Sequence, residues 1–402
     1  MTQSNASDPG NTKEAKLPRR DWIVLPVISL LTICLLLTST ELIARRMFTQ
    51  LDTIGEDCMV FNDPSTGPRG IPNSVCREKI PEGELTEYQF NSCGHRAGME
   101  CGPKSPGTYR IVMIGTSLVL GMRVPREKTF AALLPLELSR RTGLKVELYN
   151  EATPYKYPDT IALHFDEVLK AKPDMVLWAL VSGDINSQSQ LVPPTPASVR
   201  NLHPSFPAWA WYRMKAIFAT KSFTASLAEI FRRSRTATLL CQFLYDSPSL
   251  YVKLMEIDDG MAYLRAEPSA EWQKQLKEFD NNAARIEAQA RDAGVPFVVV
   301  LLPRHADVDM ISRGEWPAGY DPYRLDNELR AIITSHGGIY IDILPDIHST
   351  PSLQQGYFQV EGHLNARGHA ILSGLLAEEL TNGAVPALRV VARPQVALKK
   401  GR

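Results

Sequence analysis

Net charge is what this sequence most plainly lacks: its 402 residues carry 44 Lys and Arg against 44 Asp and Glu. The basic residues are scattered, with no stripe interleaved with aromatics, so no nucleic-acid footprint is present. The eight histidines show neither an HExxH spacing nor a close multi-ligand cluster, which argues against a metal enzyme. The run "GTSLVLG", Gly115 to Gly121, is not G-x-G-x-x-G, which argues against a dinucleotide enzyme. No internal repeat stands out. Cysteine is sparse, at six residues, and four of these crowd into one short segment.

One long uncharged run does occur. "WIVLPVISLLTICLLLTST", Trp22 to Thr40, has nineteen residues without a charge. At about 1.5 Å per helical residue it nearly crosses a hydrocarbon core of about 30 Å. A cleaved signal peptide or a buried core helix are the competing readings. The run passes into "ELIARRMF" with no clear small-residue cleavage site, and that favours a retained anchor over residues 22–44. Lys13, Lys16, Arg19 and Arg20 precede it, placing the polar tail 1–21 in the cytoplasm and the body outside. Cys58, Cys76, Cys93 and Cys101 agree with that side, because an oxidising compartment lets them staple a loop-rich segment in one of three pairings. Their spacing has no C-x-x-C element, which disfavours zinc.

Residues 47–108 are rich in Gly, Pro, Asn and Cys and read as a stapled connector with short strands. Beyond them apolar runs alternate with helical spacings. The strands are Tyr109 to Ile114, "KVELYN" (Lys145 to Asn150), "DMVLWALVS" (Asp174 to Ser182), "PFVVVLLP" (Pro296 to Pro303) and "IYIDILP" (Ile339 to Pro345). The intervening helical segments run from "PREKTFAALLPLELSRRTG" to "ARGHAILSGLLAEELTNG". Strands buried on both faces, alternating with helices, predict an α/β domain with a doubly wound, mostly parallel sheet. A long excursion at about 187–268 interrupts it and is read as a helical cap; its aromatic, basic piece "FPAWAWYRMKAIF" also suits a lipid interface. Residues 383–402 read as a tail.

Two pieces carry candidate chemistry. Ser117 follows a parallel strand and opens a helix, outside the carboxyl ends of the strands where ligands bind in such sheets; a Ser there is also an ordinary helix cap. His363, in "YFQVEGHLNARGHAIL", precedes the last helix, with Glu361 two residues before it. A serine hydroxyl needs a base to accept its proton, and an imidazole held by a carboxylate supplies one. His369, inside the helical pattern, reads as structural.

These blocks resemble the SGNH hydrolase family, the GDSL esterases, in its membrane-anchored bacterial form, over about Tyr109 to Leu380 with the excursion outside the match. "GTSLVLG" aligns with the G-D-S-x-x-x-G block and "HLNARGH" with the final histidine followed by N-x-x-G. The resemblance implies a flavodoxin-like three-layer fold over residues 109–382, with Ser117 as nucleophile, His363 as base and Glu361 as the carboxylate that holds it. It implies oxyanion or supporting roles for Asn150, Ala152, Gly183, Asp184 and Asn186. The departures are specific: Thr116 replaces an Asp, Ala152 a Gly, Gly183 an Asn, and Val360 stands where an Asp is common. The expected activity is an acyl-ester hydrolase without cofactor or metal, acting on an ester-bearing glycan or lipid at the outer face of the bacterial inner membrane. An O-acyltransferase of surface glycan, or an inactive carbohydrate-binding relative, are the alternatives.

Overall fold

The computed structural model describes residues 18, 20–52, 58–61, 63–185, 234–257 and 259–390. The uncharged run forms the greater part of a 27-residue helix, α1 (Asp21–Met47), whose most apolar 18-residue window has a mean hydropathy of 2.3 and is not buried against the rest of the chain. Glu41, just past the run, accepts hydrogen bonds from Ser234 Oγ (2.7 Å), the Arg235 amide (3.1 Å) and the Thr236 amide (3.0 Å). It thereby satisfies donors at the start of an amphipathic helix (Arg235–Tyr245) that otherwise lack intrahelical acceptors. This helix and Pro248–Ile257 are the described part of the expected excursion. The aromatic, basic stretch 206–218, residues 1–17 and residues 391–402 lie outside the described residues.

Five strands make the main sheet: β1 (Thr108–Ile114), β2 (Lys145–Asn150), β3 (Met175–Leu180), β4 (Phe297–Leu301) and β5 (Ile339–Ile341). All pairings are parallel, and the order is 2-1-3-4-5. The cause is legible in β1, which is apolar on both faces. Ile111 and Met113 enter one core, Val112 and Ile114 the other. Helices Phe130–Thr142 and Ala366–Glu379 cover the first face. Ala270–Asp292, Arg324–His336 and the pair Pro158–Leu163 and Phe165–Lys170 cover the second. Each such aliphatic side chain withdrawn from water contributes about 1.5–3 kcal/mol, which is why the strand cannot be left half covered.

Several elements differ from the sequence expectation. The helix expected after β2 breaks at His164. Strand β5 stops at Ile341, and Leu344–Ile347 is a helical turn with Pro345 in its first turn, where proline's missing N–H costs nothing. Ser182–Ile185 likewise winds into a turn just past β3. His305–Arg313, not assigned from the sequence, is a helix. The connector is also more than a strap. Disulfides Cys58–Cys76 and Cys93–Cys101 close it, so those thiols are unavailable to zinc. Cys58, Tyr88 and Phe90 are buried in the first core, because strands this short cannot form a core of their own and borrow the sheet domain's.

Candidate active site

Strand β1 ends against Gly115. A Cβ at this position would stand 2.5 Å from Val119 Cγ2 and 2.6 Å from the Ala179 carbonyl oxygen on β3, so the close approach needs glycine. The chain then turns, and Ser117 begins a single helical turn, Ser117–Leu120. β1 lies between β2 and β3, where the strand order reverses. That places Ser117 at the crevice where such sheets bind ligands.

The last loop reaches the same point. His363 Nε2 is 2.8 Å from Ser117 Oγ, and its Nδ1 is 2.8 and 2.9 Å from the two carboxylate oxygens of Glu361. A carboxylate only accepts, so Nδ1 carries the proton and Nε2 is left to accept from the serine hydroxyl. Glu361 also accepts from the His363 amide, at 3.1 Å, which curls the side chain back over two residues. Ser117, Glu361 and His363 are all half-buried, open to a small molecule yet partly screened from water.

The rest of "HLNARGH" explains how the loop is held. Leu364 is buried in the first core. Asn365 caps the final helix, accepting from the amides of Arg367 (2.9 Å) and Gly368 (3.1 Å), while its own amide donates to the carbonyls of Gln355 and Tyr357. A Cβ on Gly368 would meet the Gly356 carbonyl oxygen at 2.1 Å, so glycine lets the helix lie against that backbone. His369 Nδ1 accepts from the Phe130 amide (3.2 Å) at the start of the neighbouring helix. Burial first, then the charges of Arg96 and His363, pull the His369 imidazole down to about 3, so it is neutral in the fold.

The residues expected on the oxyanion side are engaged within the protein. The Ala152 amide donates to Asn150 Oδ1 (3.1 Å), and Asn150 Nδ2 donates to the Val119 carbonyl (3.0 Å). Both residues are buried. Asp184 is buried and accepts from Thr116 Oγ1 (2.8 Å) and the Val181 amide (3.0 Å), joining the turn after β1 to the turn after β3. Burial pushes its carboxyl up to about 7, against these two hydrogen bonds. Thr116, in the place of the resemblance's Asp, is therefore a donor to the Asp184 carboxyl group. Gly183 lies in the turn Ser182–Ile185, and Asn186 lies outside the described residues.

Three residues near Ser117, His363 and Glu361 were not singled out in the sequence. Arg123 Nε is 2.6 Å from Glu361 Oε1, and its guanidinium also pairs with Glu78 Oε1 at 2.8 Å. Glu82 accepts from the amides of Val360 (3.0 Å) and Glu361 (2.9 Å). Glu78 and Glu82 belong to the disulfide-closed connector, far from the last loop in sequence. Nothing in "CREKIPEGEL" marks them, since their partners are set by packing alone.

No protein-family model and no curated protein matches the chain. Solved structures with similar coordinates include a psychrotrophic esterase, EstA, from Pseudoalteromonas sp., 10% identical at a TM-score of 0.36, with 68% of this chain and 97% of that one covered. A lipase/acylhydrolase from Enterococcus faecalis is 14% identical at 0.35, covering 68% and 95%. A mutant of Axe2, an acetyl-xylooligosaccharide esterase from Geobacillus, is 10% identical at 0.36, covering 68% and 94%. Likeness at these scores carries nothing about this chain's reaction.

Proposed function

We propose that the chain is a serine acyl-ester hydrolase of the SGNH type. The observation that carries this reading is the 2.8 Å contact between His363 Nε2 and Ser117 Oγ, with Glu361 on the other ring nitrogen. His363 accepts the hydroxyl proton as Ser117 Oγ bonds to the ester carbonyl carbon. Collapse of the tetrahedral adduct breaks the C–O bond to the alcohol, which leaves with the proton from His363. Water then attacks the acyl-enzyme by the same route and releases the acid. Glu361 holds the imidazole in its tautomer and balances the imidazolium that forms. The Ser117 amide opens a helical turn without an intrahelical acceptor and serves as one oxyanion donor. The Ala152 amide serves as the second once the oxyanion displaces Asn150 Oδ1.

The setting supports a membrane-anchored enzyme with its body outside the cytoplasm. Helix α1 is long and apolar enough to span, and Glu41 ties its end to Arg235–Tyr245. Leu239, Gln242, Phe243 and Asp246, from that helix or beside it, face Tyr357, Phe358 and Asn365 across an open cleft of about 620 Å³. The catalytic loop is thus one helix away from the anchor, a placement suited to esters on surface glycans or lipids. Deacetylation of a glycan is the substrate reading we favour, with transfer to a sugar hydroxyl differing only in the final acceptor. The internal bonds of Asn150 and Asp184 favour a second reading, a glycan-binding protein that has kept the fold without the reaction.

A serine-reactive fluorophosphonate decides between them. The native protein is expected to label at Ser117, and Ser117→Ala is expected not to. A folded native protein that stays unlabelled would sink the hydrolase and leave the binding protein. Acetate released from acetylated glycans, compared with fatty acid released from lipid esters, then sorts the substrate class, with Ser117→Ala as control.

A further inference from the structure

Glu361 carries a cation that the reaction described above does not use. We infer that Arg123 is a positioning residue for the triad: its guanidinium, held between Glu78 and Glu361, fixes the Glu361 carboxylate against the His363 ring. This rests on the serine-hydrolase reading and deepens it.

The backbone is the first reason. Arg123 has a φ of +69°, a region that L side chains seldom occupy and that persists only where the surroundings impose it. The imposing contacts are present. The Arg123 amide donates to the Tyr88 hydroxyl oxygen (2.6 Å), and that hydroxyl donates to Glu78 Oε2 (2.7 Å). One buried carboxylate, Glu78, thus anchors Arg123 twice, through Tyr88 to its backbone and directly to its side chain. Buried Arg96 lies over the Tyr88 ring, 4.2 Å from its centroid, and donates to the carbonyls of Leu120, Gly121 and Val124. The segment that leads from the nucleophile's turn to Arg123 is therefore held from both sides.

The second reason is the geometry of the acid itself. Glu361 is only two residues from His363 and must double back to reach Nδ1. A glutamate has enough rotatable bonds to lose that pose, and ordering it costs entropy. An immobilised cation 2.6 Å from Glu361 Oε1 holds the carboxylate by charge, and that restraint needs a positive group at this place rather than a particular hydrogen-bond geometry. Glu82 does the same for the loop backbone, through the amides of Val360 and Glu361. The disulfide-closed connector consequently supplies Glu78, Glu82, Tyr88 and Arg96 as the scaffold of a triad whose members all lie in the sheet domain.

A purely structural ion pair, or an arginine that binds an anionic substrate, makes different predictions. The test measures steady-state ester hydrolysis and fluorophosphonate labelling for the native protein, Arg123→Gln, Arg123→Lys, Glu361→Gln and the double variant Arg123→Gln/Glu361→Gln. Arg123→Gln is expected to lower kcat about tenfold or more with KM within about twofold, and Arg123→Lys to recover most of the loss. Acting through Glu361, it should cost nothing more in the Glu361→Gln background. Equal losses in both backgrounds, a raised KM with unchanged kcat, or native-like rates in Arg123→Gln would each overturn the assignment. An unlabelled native protein would instead remove the hydrolase reading, and this inference with it. Should Arg123→Gln lose its near-UV circular dichroism, Glu78→Gln is read in its place: reduced kcat supports the assignment, and native kcat overturns it.

Discussion

The two halves of the site are built on opposite plans. On the half proposed to move the proton, Ser117, His363 and Glu361 stand in one chain of short contacts, with Arg123 paired to the outer face of the acid. On the half proposed to stabilise the oxyanion, Asn150 and Ala152 bond each other and the Val119 carbonyl, while Asp184 accepts from Thr116 Oγ1 and the Val181 amide. On the proposed reading, proton movement is prepared before any substrate arrives, whereas, the Ser117 amide apart, charge stabilisation has to be taken from bonds that the resting protein already makes. Such an enzyme would form its acyl intermediate slowly. Loss of a single oxyanion donor elsewhere is worth about 3 kcal/mol, and an occupied donor recovers only part of that.

This contrast is open to direct attack, and the largest effects belong to the first half. His363→Ala should lower the labelling rate at Ser117 by about four orders of magnitude, and Glu361→Gln by about two or more, with the folded state retained. Asn150→Ala should behave the other way round. It removes two buried hydrogen bonds, for about 2–3 kcal/mol of stability by denaturant unfolding, and lowers kcat less than Glu361→Gln does. A larger catalytic than structural effect at Asn150 would erase the distinction between the halves.

A smaller effect is expected at Asn365, which holds the His363 loop without touching the reacting atoms. Asn365→Ala loses a helix cap and two loop bonds, and about 1–2 kcal/mol by thermal or denaturant unfolding. Its kcat should fall only a few-fold. A collapse of kcat with stability unchanged would mean that the cap does more than hold the loop.

The subtlest comparison is in pH. Asp184, on the oxyanion half, keeps its proton in the fold up to about 7 while the unfolded chain releases it near the ordinary carboxylate value. Its stabilising contribution is therefore full at low pH and disappears as pH rises through about 7. His369, on the helix behind His363, stays neutral in the fold down to about 3, whereas the unfolded imidazole charges near its ordinary value. Its contribution is full above about 6.5 and is lost as pH falls towards 3. Between about pH 4.5 and about pH 6.5 the slopes oppose, each at most ~1.4 kcal/mol per pH unit. Asp184→Asn should gain on the native protein as pH rises through this window, and His369→Gln should lose ground. Difference curves of the same sign would show that one of the two assignments is wrong.

How far each half could be read in advance follows from the distance between its parts. Ser117 stood out because an apolar strand stopped at a small polar group, and His363 because it precedes the last helix in a block, "HLNARGH", that resembles the family's final motif. Glu361 was legible as a carboxylate two residues away. Arg123 was not, because its role depends on Glu78 and Tyr88 in a segment that shares no motif with the last loop. Ala152 was expected on the oxyanion side, and only the fold reveals that its amide already donates to Asn150 Oδ1. The four clustered cysteines left three pairings open, and the consecutive one, Cys58–Cys76 with Cys93–Cys101, emerges from the placement of the short strands.

Local chemistry was enough to determine the alternation of strands buried on both faces with covering helices, the uncharged N-terminal run and the short motifs around Ser117 and His363. Those properties depend on residues a few positions apart, where periodicity and turn chemistry act directly. The strand order, the meeting of Ser117 with a histidine 246 residues later and the clamp on Glu361 were decided by the tertiary structure. Their physical reason is common to all three: they are contacts between distant segments, chosen by how two apolar faces of one sheet can both be covered at once.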